Sequence, residues 1–319
     1  MEQAKQRLLA AKHVYIVCHI MPDGDAIGAL LAMGAALKRL GKKRTLACAD
    51  PLPAKLAFLP SASLVVTRPP TSEDTIVTVD VSDVNRLGSV YQPAAFERRP
   101  VINVDHHVTN TRFGTVNVIR PLPSTCEVVL GLIRRLGVPV DEEIASALLM
   151  GLITDTRCFR TGNVTARQLR TAIALIKAGA PMASLTEQLF NREPLSTVRL
   201  WGQALAAVQT SDGVIWAEIS QEMMRRCDAD PSDADGLSSF LASTAEMQAA
   251  LVFREQDDGQ IEVSMRAAPG RDLSGVAVSL GGGGHPRAAG CTVPGPLSQA
   301  APLVLAAVQQ SLREQAGRA

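Results

Sequence analysis

Short apolar runs alternate with longer stretches of helical periodicity through the first half of the chain. Residues 14–18, 44–48, 76–80 and 101–105 are β-branched or apolar at successive positions, the pattern of strands covered on both faces, as in a parallel sheet. Between them, residues 25–40 read as a helix stopped by Gly41. Ser124-Thr125-Cys126-Glu127 has the spacing of a capping box and opens a helix that ends before Gly137. Residues 142–154, with Asp141 as N-cap, and residues 165–178, closed by Gly179 and Pro181, give two more. Strands alternating with helices in this way predict an α/β domain built on a doubly wound, mainly parallel sheet.

The pattern changes near residue 190. Residues 195–208 read as a connecting helix, and the strands beyond it are joined by tight turns. Asp212-Gly213 precedes the run 214–219, and Asp258-Gly259 separates residues 250–254 from 260–267; both are hairpin signals. Residues 260–266 alternate polar and apolar, so one face of that strand is wet. The prediction is a catalytic domain over residues 1–188, a helical linker over 189–208 and a second, smaller α+β domain over 209–319. Two domains joined by such a linker place an active site in the interdomain cleft.

Composition narrows the function. A length of 319 residues suits about two domains, and 46% hydrophobic against 20% charged residues can bury a core. A net charge of +1 without a basic tail argues against long duplex DNA as a partner. No stretch approaches the ~20 apolar residues of a membrane span. The first dozen residues lack a signal-peptide core, so the expectation is a cytoplasmic protein that does not engage a membrane. Six scattered cysteines without a C-x-x-C pair read as reduced, buried thiols.

The chemistry concentrates where the first-half strands end. One runs into His19-x-x-Pro22-Asp23-x-Asp25-x-x-Gly28, another ends in Asp80, and a third in Asp105-His106-His107. Asp155 follows an uncharged helix. Singly, such an Asp is often only a helix N-cap and such a His a packed residue. Together they crowd carboxylates, which at ~4 Å repel by ~4 kcal/mol at an effective dielectric of ~20, so the group must take up protons or bind cations. Mixed carboxylate and imidazole donors suit Mn²⁺, Fe²⁺, Co²⁺ or Zn²⁺, and their number points to two ions. A second cluster is Gly281-Gly282-Gly283-Gly284-His285, whose bare backbone can approach an anion; Arg266, on the alternating strand, is a candidate phosphate fork.

These residues resemble the DHH phosphoesterase superfamily, named for the triplet at 105–107. Residues 19–28 match its first motif, Asp80 its second and Asp155 its fourth. Gly282-Gly283-Gly284-His285-x-x-Ala288-Ala289-Gly290 matches the DHH-associated domain that follows the catalytic domain in one subfamily. Among compact members the chain is similar to bacterial nanoRNases that also act on 3′-phosphoadenosine 5′-phosphate (PAP). The resemblance implies two Mn²⁺ ions, with His19 and Asp23 on one, Asp25, His106 and Asp155 on the other, and Asp80 bridging. It also implies a catalytic group of His107, Asp80 and Asp105. In it Asp105 orients His106 through its ring N–H, and His107 faces the phosphate, either stabilising charge or protonating the leaving oxygen. Arg266, Gly282, Gly283, Gly284 and His285 then bind the far end of the substrate. Ala29 departs from the Ser of many members at a non-ligand position, and Asn163 is given no role.

The implied activity is hydrolysis of very short oligoribonucleotides to mononucleotides and dephosphorylation of PAP, with small nucleotides as partners and a homodimer left open. A linear or cyclic dinucleotide phosphodiesterase is the alternative within the same chemistry. A nucleic-acid-binding module is the alternative outside it, and the six-residue donor set argues against that one. The superfamily's pyrophosphatases fit the glycine–histidine cluster poorly, and its RecJ-type exonucleases carry domains for which this chain is too short.

Overall fold

The computed structural model describes residues 1–190 and 192–317; residue 191 of the expected linker and residues 318–319 of the expected second domain lie outside the described residues. The chain divides into two compact units, Met1–Arg192 and Glu193–Ala319.

In the first unit the elements run α1 (Glu2–Ala10), β1 (His13–Val17), α2 (Gly24–Arg39), β2 (Lys43–Ala47), β3 (Val65–Val66), β4 (Thr75–Val79), α3 (Pro93–Glu97), β5 (Val101–Asp105), β6 (Val116–Ile119), α4 (Thr125–Arg135), α5 (Glu142–Asp155), α6 (Ala166–Lys177) and α7 (Met182–Phe190). The six strands form one parallel sheet in the order β3-β2-β1-β4-β5-β6. The four expected strands are present, shifted by at most one residue. β3 and β6 were not anticipated: β3 has two residues, and in β6 alternate residues are only half buried, so neither leaves an apolar run. α1, α2 and α4 cover one face of the sheet, with α5 packed behind them on α2 and α4, while Tyr15, Val17, Ile76, Leu87 and Phe96 pack on the other, so the sheet is doubly wound.

Every residue of α2 from Gly24 to Leu37 is buried, which explains why its sequence is small and apolar all round. Leu40 is its C-cap, and Gly41 follows with φ 69, the left-handed turn that glycine tolerates. Asp141 caps α5 as expected. The capping box is a different matter. Ser124 caps α4, but Glu127 is buried and accepts from Gln168 Nε2 at 2.7 Å; the two-sided box occurs at Thr165 and Gln168 on α6. A tertiary partner outbid the local one.

The second unit runs α8 (Leu195–Ala206), β7 (Gln209–Ser211), β8 (Val214–Ile219), α9 (Gln221–Cys227), α10 (Leu237–Leu241), β9 (Ala249–Glu255), β10 (Gln260–Ala267), α11 (Ser274–Ser279), β11 (Gly283–His285), β12 (Ala288–Pro294) and α12 (Leu297–Ala316). Its sheet, ordered β11-β12-β10-β9-β8-β7, is mixed: β8 and β9 are parallel, the other pairs antiparallel. Both expected hairpins form, and Asp212 and Gly213 (φ 49 and 75) make the β7–β8 turn. The helix expected as a linker is instead part of this unit. α8 buries Leu200 and Ala204 against Ile215, Ala217 and Met224, and Trp201 Nε1 donates to Asp233 O at 2.9 Å.

Candidate metal centre and active site

Three strands deliver functional groups to one edge. The chain leaves β1 through Cys18 into His19, β4 is followed at once by Asp80, and β5 ends on Asp105, ahead of His106 and His107. β1, β4 and β5 are neighbours, and strand order reverses between β1 and β4, the switch point at which open parallel sheets bind ligands. Asp80 holds a left-handed backbone (φ 59), which costs a non-glycine residue ~1 kcal/mol or more. Asp23 and Asp25 open α2, and Asp155 closes α5. Asp23 is also the N-cap, its Oδ1 accepting from the N–H of Asp25 and Ala26 at 3.0 Å.

Glycines let the two helices meet closely enough for this. A Cβ at Gly28 would lie 2.4 Å from Ala147 O, and one at Gly151 would lie 2.7 Å from Asp25 Oδ1 and 2.3 Å from Cys126 Sγ. Only bare backbone at both positions allows α2 and α5 to bring Asp25 and Asp155 together.

The donor atoms fall into three overlapping sets, one of them Asp80, Asp105, His106 and His107. His19, Asp23 and Asp80 each place a donor within 4.8 Å of the others, and so do Asp25, His106 and Asp155. His19 Nε2 is 3.5 Å from Asp80 Oδ2 and 3.9 Å from Asp23 Oδ1. His106 Nε2 is 3.6 Å from Asp80 Oδ1 and 3.5 Å from Asp155 Oδ2. Asp80 thus offers one oxygen to each histidine. Two ligands ~2.1 Å from one ion stand ~3–3.6 Å apart, so most of these separations, long for hydrogen bonds, suit a shared cation.

Both imidazoles are turned the right way. His19 Nδ1 lies 2.7 Å from Ile20 O and His106 Nδ1 lies 2.9 Å from Leu122 O. A carbonyl only accepts, so each Nδ1 carries the proton, and Nε2 is left to face the carboxylates. The expected role of Asp105 is corrected here. The Nδ1 of His106 is taken by Leu122 O, and Asp105 Oδ1 instead lies 2.8 Å from Nδ1 of His107 and accepts the main-chain N–H of His106 at 2.7 Å. Leu122 O, close enough because β5 and β6 run side by side, does the work assigned to it.

Charge decides what the cluster can hold. Burial and the charges of Asp25, Asp80 and Asp23 push Asp155 up to about 10, and burial with the Asp80 charge lifts Asp25 to about 6. Burial alone would raise Asp80, but the close approach of His19 and the charge of the histidines bring it down to about 2. The donor set therefore fits a divalent cation: oxygen and imidazole ligands, too much negative charge to stay ionised unaided, and histidine lone pairs aimed inward. For His107, burial works against protonation, yet the Asp105 hydrogen bond and the Asp80 charge outweigh it and raise its pKa.

Sequence reasoning missed the residues that hold the carboxylates. Ser124 Oγ donates to Asp25 Oδ1 at 2.6 Å, Cys126 N to the same oxygen at 3.0 Å and Thr125 N to Oδ2 at 2.6 Å. Thr125 Oγ1 donates to Asp80 Oδ1 at 2.8 Å. Asn110 Nδ2 donates to Asp105 Oδ2 at 2.5 Å. The α4 N-terminus was legible as a cap, but nothing local says that its free N–H groups point at a carboxylate. Beside His106 and His107 lies a cavity of about 200 Å³ that Asn110 and Arg112 also line.

The second-unit residues gather on one sheet. Arg266 lies opposite Ala288, and Ala288 opposite His285. Residues in one lateral row share a face, so Arg266 and His285 project from the same side, two strand spacings or ~10 Å apart. Gly283, Gly284 and His285 form β11, paired with β12. Gly284 allows the tight pairing, since a Cβ there would stand 2.5 Å from Ala289 Cα. Gly282, Gly290 and Ser264 line an adjacent groove of about 360 Å³. Arg266 Nε donates to Ser239 Oγ at 3.1 Å.

Residues 13–152 match the DHH family N-terminal domain and residues 214–314 the DHHA1 domain. The chain is 38% identical over 307 residues to a Thermus thermophilus protein named bifunctional oligoribonuclease and PAP phosphatase NrnA, covering 94% of this chain and 90% of that one. The chain belongs to the DHH family. Two solved structures share the fold. An exopolyphosphatase-related protein of Bacteroides fragilis superposes with a TM-score of 0.92 at 21% identity, over 98% of this chain and 96% of that one. RecJ of Thermus thermophilus, in complex with Mn²⁺, gives 0.58 at 16% identity, over 97% of this chain and 54% of that one. The DHH triplet that names the family is here divided in labour: Asp105 serves His107, and His106 joins the donor set. Among the described residues, no helix of this DHH protein is long and apolar enough to cross a membrane.

Proposed function

We propose that this chain is a Mn²⁺-dependent phosphohydrolase of the cytoplasm that cuts very short oligoribonucleotides to mononucleotides and removes the 3′-phosphate of PAP. The observation that carries the reading is the pair of donor sets joined through Asp80, in a chain so similar to an enzyme named for both activities. His19, Asp23 and Asp80 would hold one ion and Asp25, His106, Asp155 and Asp80 the other. Bound there, two divalent ions supply a nucleophile at neutral pH and neutralise phosphate charge.

The chain's own groups do the rest. Thr125 and the α4 N-terminus keep the Asp80 and Asp25 carboxylates from turning away. Asp105 holds His107 protonated at Nδ1, which leaves Nε2 to give a proton to the leaving oxygen. In the second unit Arg266 and His285 are the groups suited to bind the rest of a nucleotide, on the sheet face that Gly283 shares and beside the groove that Gly282 and Gly290 line. The test is a hydrolysis panel with Mn²⁺: pApA, a five-nucleotide RNA, a 24-nucleotide RNA, PAP, cyclic di-AMP and pyrophosphate. Turnover of pApA, the short RNA and PAP well ahead of the rest supports the reading; preference for cyclic di-AMP or pyrophosphate, or no turnover of the short RNAs, overturns it.

A further inference from the structure

Arg86 stands at the rim of the donor cluster with nothing to hold. It lies in the short helical segment Val84–Val90, which the fold clamps onto the residues after β1. Ile20 N donates to Arg86 O at 2.7 Å. Gly88, at φ 59, makes the approach feasible, because a Cβ there would sit 2.4 Å from Ile20 Cγ2. The half-buried side chain then runs back to His19, with Nη2 3.2 Å from Nδ1. No hydrogen bond joins them: Nδ1 already gives its proton to Ile20 O, and a guanidinium has no lone pair to offer. Among the described residues no carboxylate forms an ion pair with it, although Asp23 and Asp80 are the immediate neighbours of His19.

Such a placement is costly unless an anion arrives. A guanidinium withdrawn from water without a partner loses hydration, and beside a cation site it repels the very ion that the carboxylates attract. Both penalties vanish when a phosphate enters, because a planar fork of N–H donors matches phosphate oxygens bidentately. We propose that Arg86 is a phosphate-binding residue of this site, gripping the non-bridging oxygens of the ester or monoester that docks beside His19, Asp23 and Asp80. The proposal rests on the reading of the cluster as a metal-dependent phosphohydrolase site and names a binding group for it.

The experiment compares the full chain with R86M and R86K by three readouts: Mn²⁺ binding by calorimetry without other ligand, inorganic phosphate binding by the Mn²⁺-loaded protein, and KM and kcat on pApA. R86M should bind Mn²⁺ as tightly as the unchanged chain or a few-fold tighter. It should bind phosphate ~10-fold or more weakly and raise KM at least as much, as the loss of a charge-assisted fork predicts. R86K should recover only part of the phosphate affinity, which shows that the variant protein is folded and that the fork matters. Phosphate binding within twofold of the unchanged chain in R86M overturns the proposal. So does parallel loss of Mn²⁺ and phosphate binding, which would make Arg86 a support for His19, and so does failure of the unchanged, loaded chain to bind phosphate. Inorganic phosphate is a ligand whichever ester is cut. If the unchanged chain hydrolyses none of the short RNAs, the proposed function falls while the phosphate arm still decides the role of Arg86.

Discussion

Asp105 Oδ1 and His107 Nδ1 are 2.8 Å apart, and the buried carboxylate is pinned from its other side by Asn110. This pair is a proton-holding dyad that shares a donor set with Asp80 and His106 and lies outside the two triads built on His19 and Asp155. Asp105→Asn keeps the shape but removes the charge that favours the imidazolium. We expect kcat on pApA to fall ~10²–10³-fold, the usual size of a general-acid contribution, with Mn²⁺ affinity changed less than about threefold. Calorimetry beside steady-state kinetics checks the split; a large loss of Mn²⁺ affinity would return Asp105 to the role of orienting His106.

Asp80 faces both histidines of the donor sets, whereas His285 lies in the other unit. Asp80→Ala should therefore cost ~10³-fold or more in kcat/KM, several kcal/mol of transition-state stabilisation, and Mn²⁺ binding should drop with it. His285→Ala should cost ~10-fold, about 1.4 kcal/mol, almost wholly in KM. Equal losses would contradict a shared Asp80.

Proton bookkeeping gives a third expectation. Burial and the neighbouring carboxylates hold Asp155 protonated up to about 10; for His19, burial opposes protonation but Asp80 outweighs it and lifts the ring to about 9. At pH 7 both carry protons that ligation must expel. Mn²⁺ uptake should release between one and two protons, and apparent affinity should rise with pH, ~10-fold per unit for each proton released. Titration in two buffers of different ionisation heat reads the number directly. Uptake without proton release would place the ion elsewhere.

Gly151→Ala sets helix propensity against geometry. Alanine favours a helix interior by ~1 kcal/mol, but the new methyl would sit within 2.7 Å of Asp25 Oδ1 and 2.3 Å of Cys126 Sγ, and overpacking of that kind costs ~1–3 kcal/mol. The clash should win. The variant should unfold at lower urea and lose most activity through displacement of Asp25. An unchanged urea midpoint with full activity would show that α2 and α5 can separate freely.

The strand-end chemistry was readable because β1, β4 and β5 are buried runs that stop at His19, Asp80 and Asp105, and local pattern suffices for that. What escaped was nonlocal. Ser124, Thr125 and Cys126 look like any helix start until the fold brings Asp25 onto them, and Glu127 leaves its own cap for Gln168 across a helix interface. Four glycines say nothing of a partner strand, yet β12 recruits Gly283 and Gly284 into an edge strand. The linker helix is apolar on the face that packs against β8, a face indistinguishable in sequence from one that spans two domains.

One further consequence lies in how far apart the partners of Asp25 are made. Its hydrogen-bond donors, Ser124 to Cys126, come about a hundred residues later, and Asp155 later still. At ~5–20 residues per second of synthesis, a growing chain carries the first motif for ~5–20 s before α4 emerges to fasten it. Until α5 is also threaded against α2, the aspartates are strangers to one another. Catalytic competence thus arrives late, as a property of the assembled sheet and not of any motif it contains.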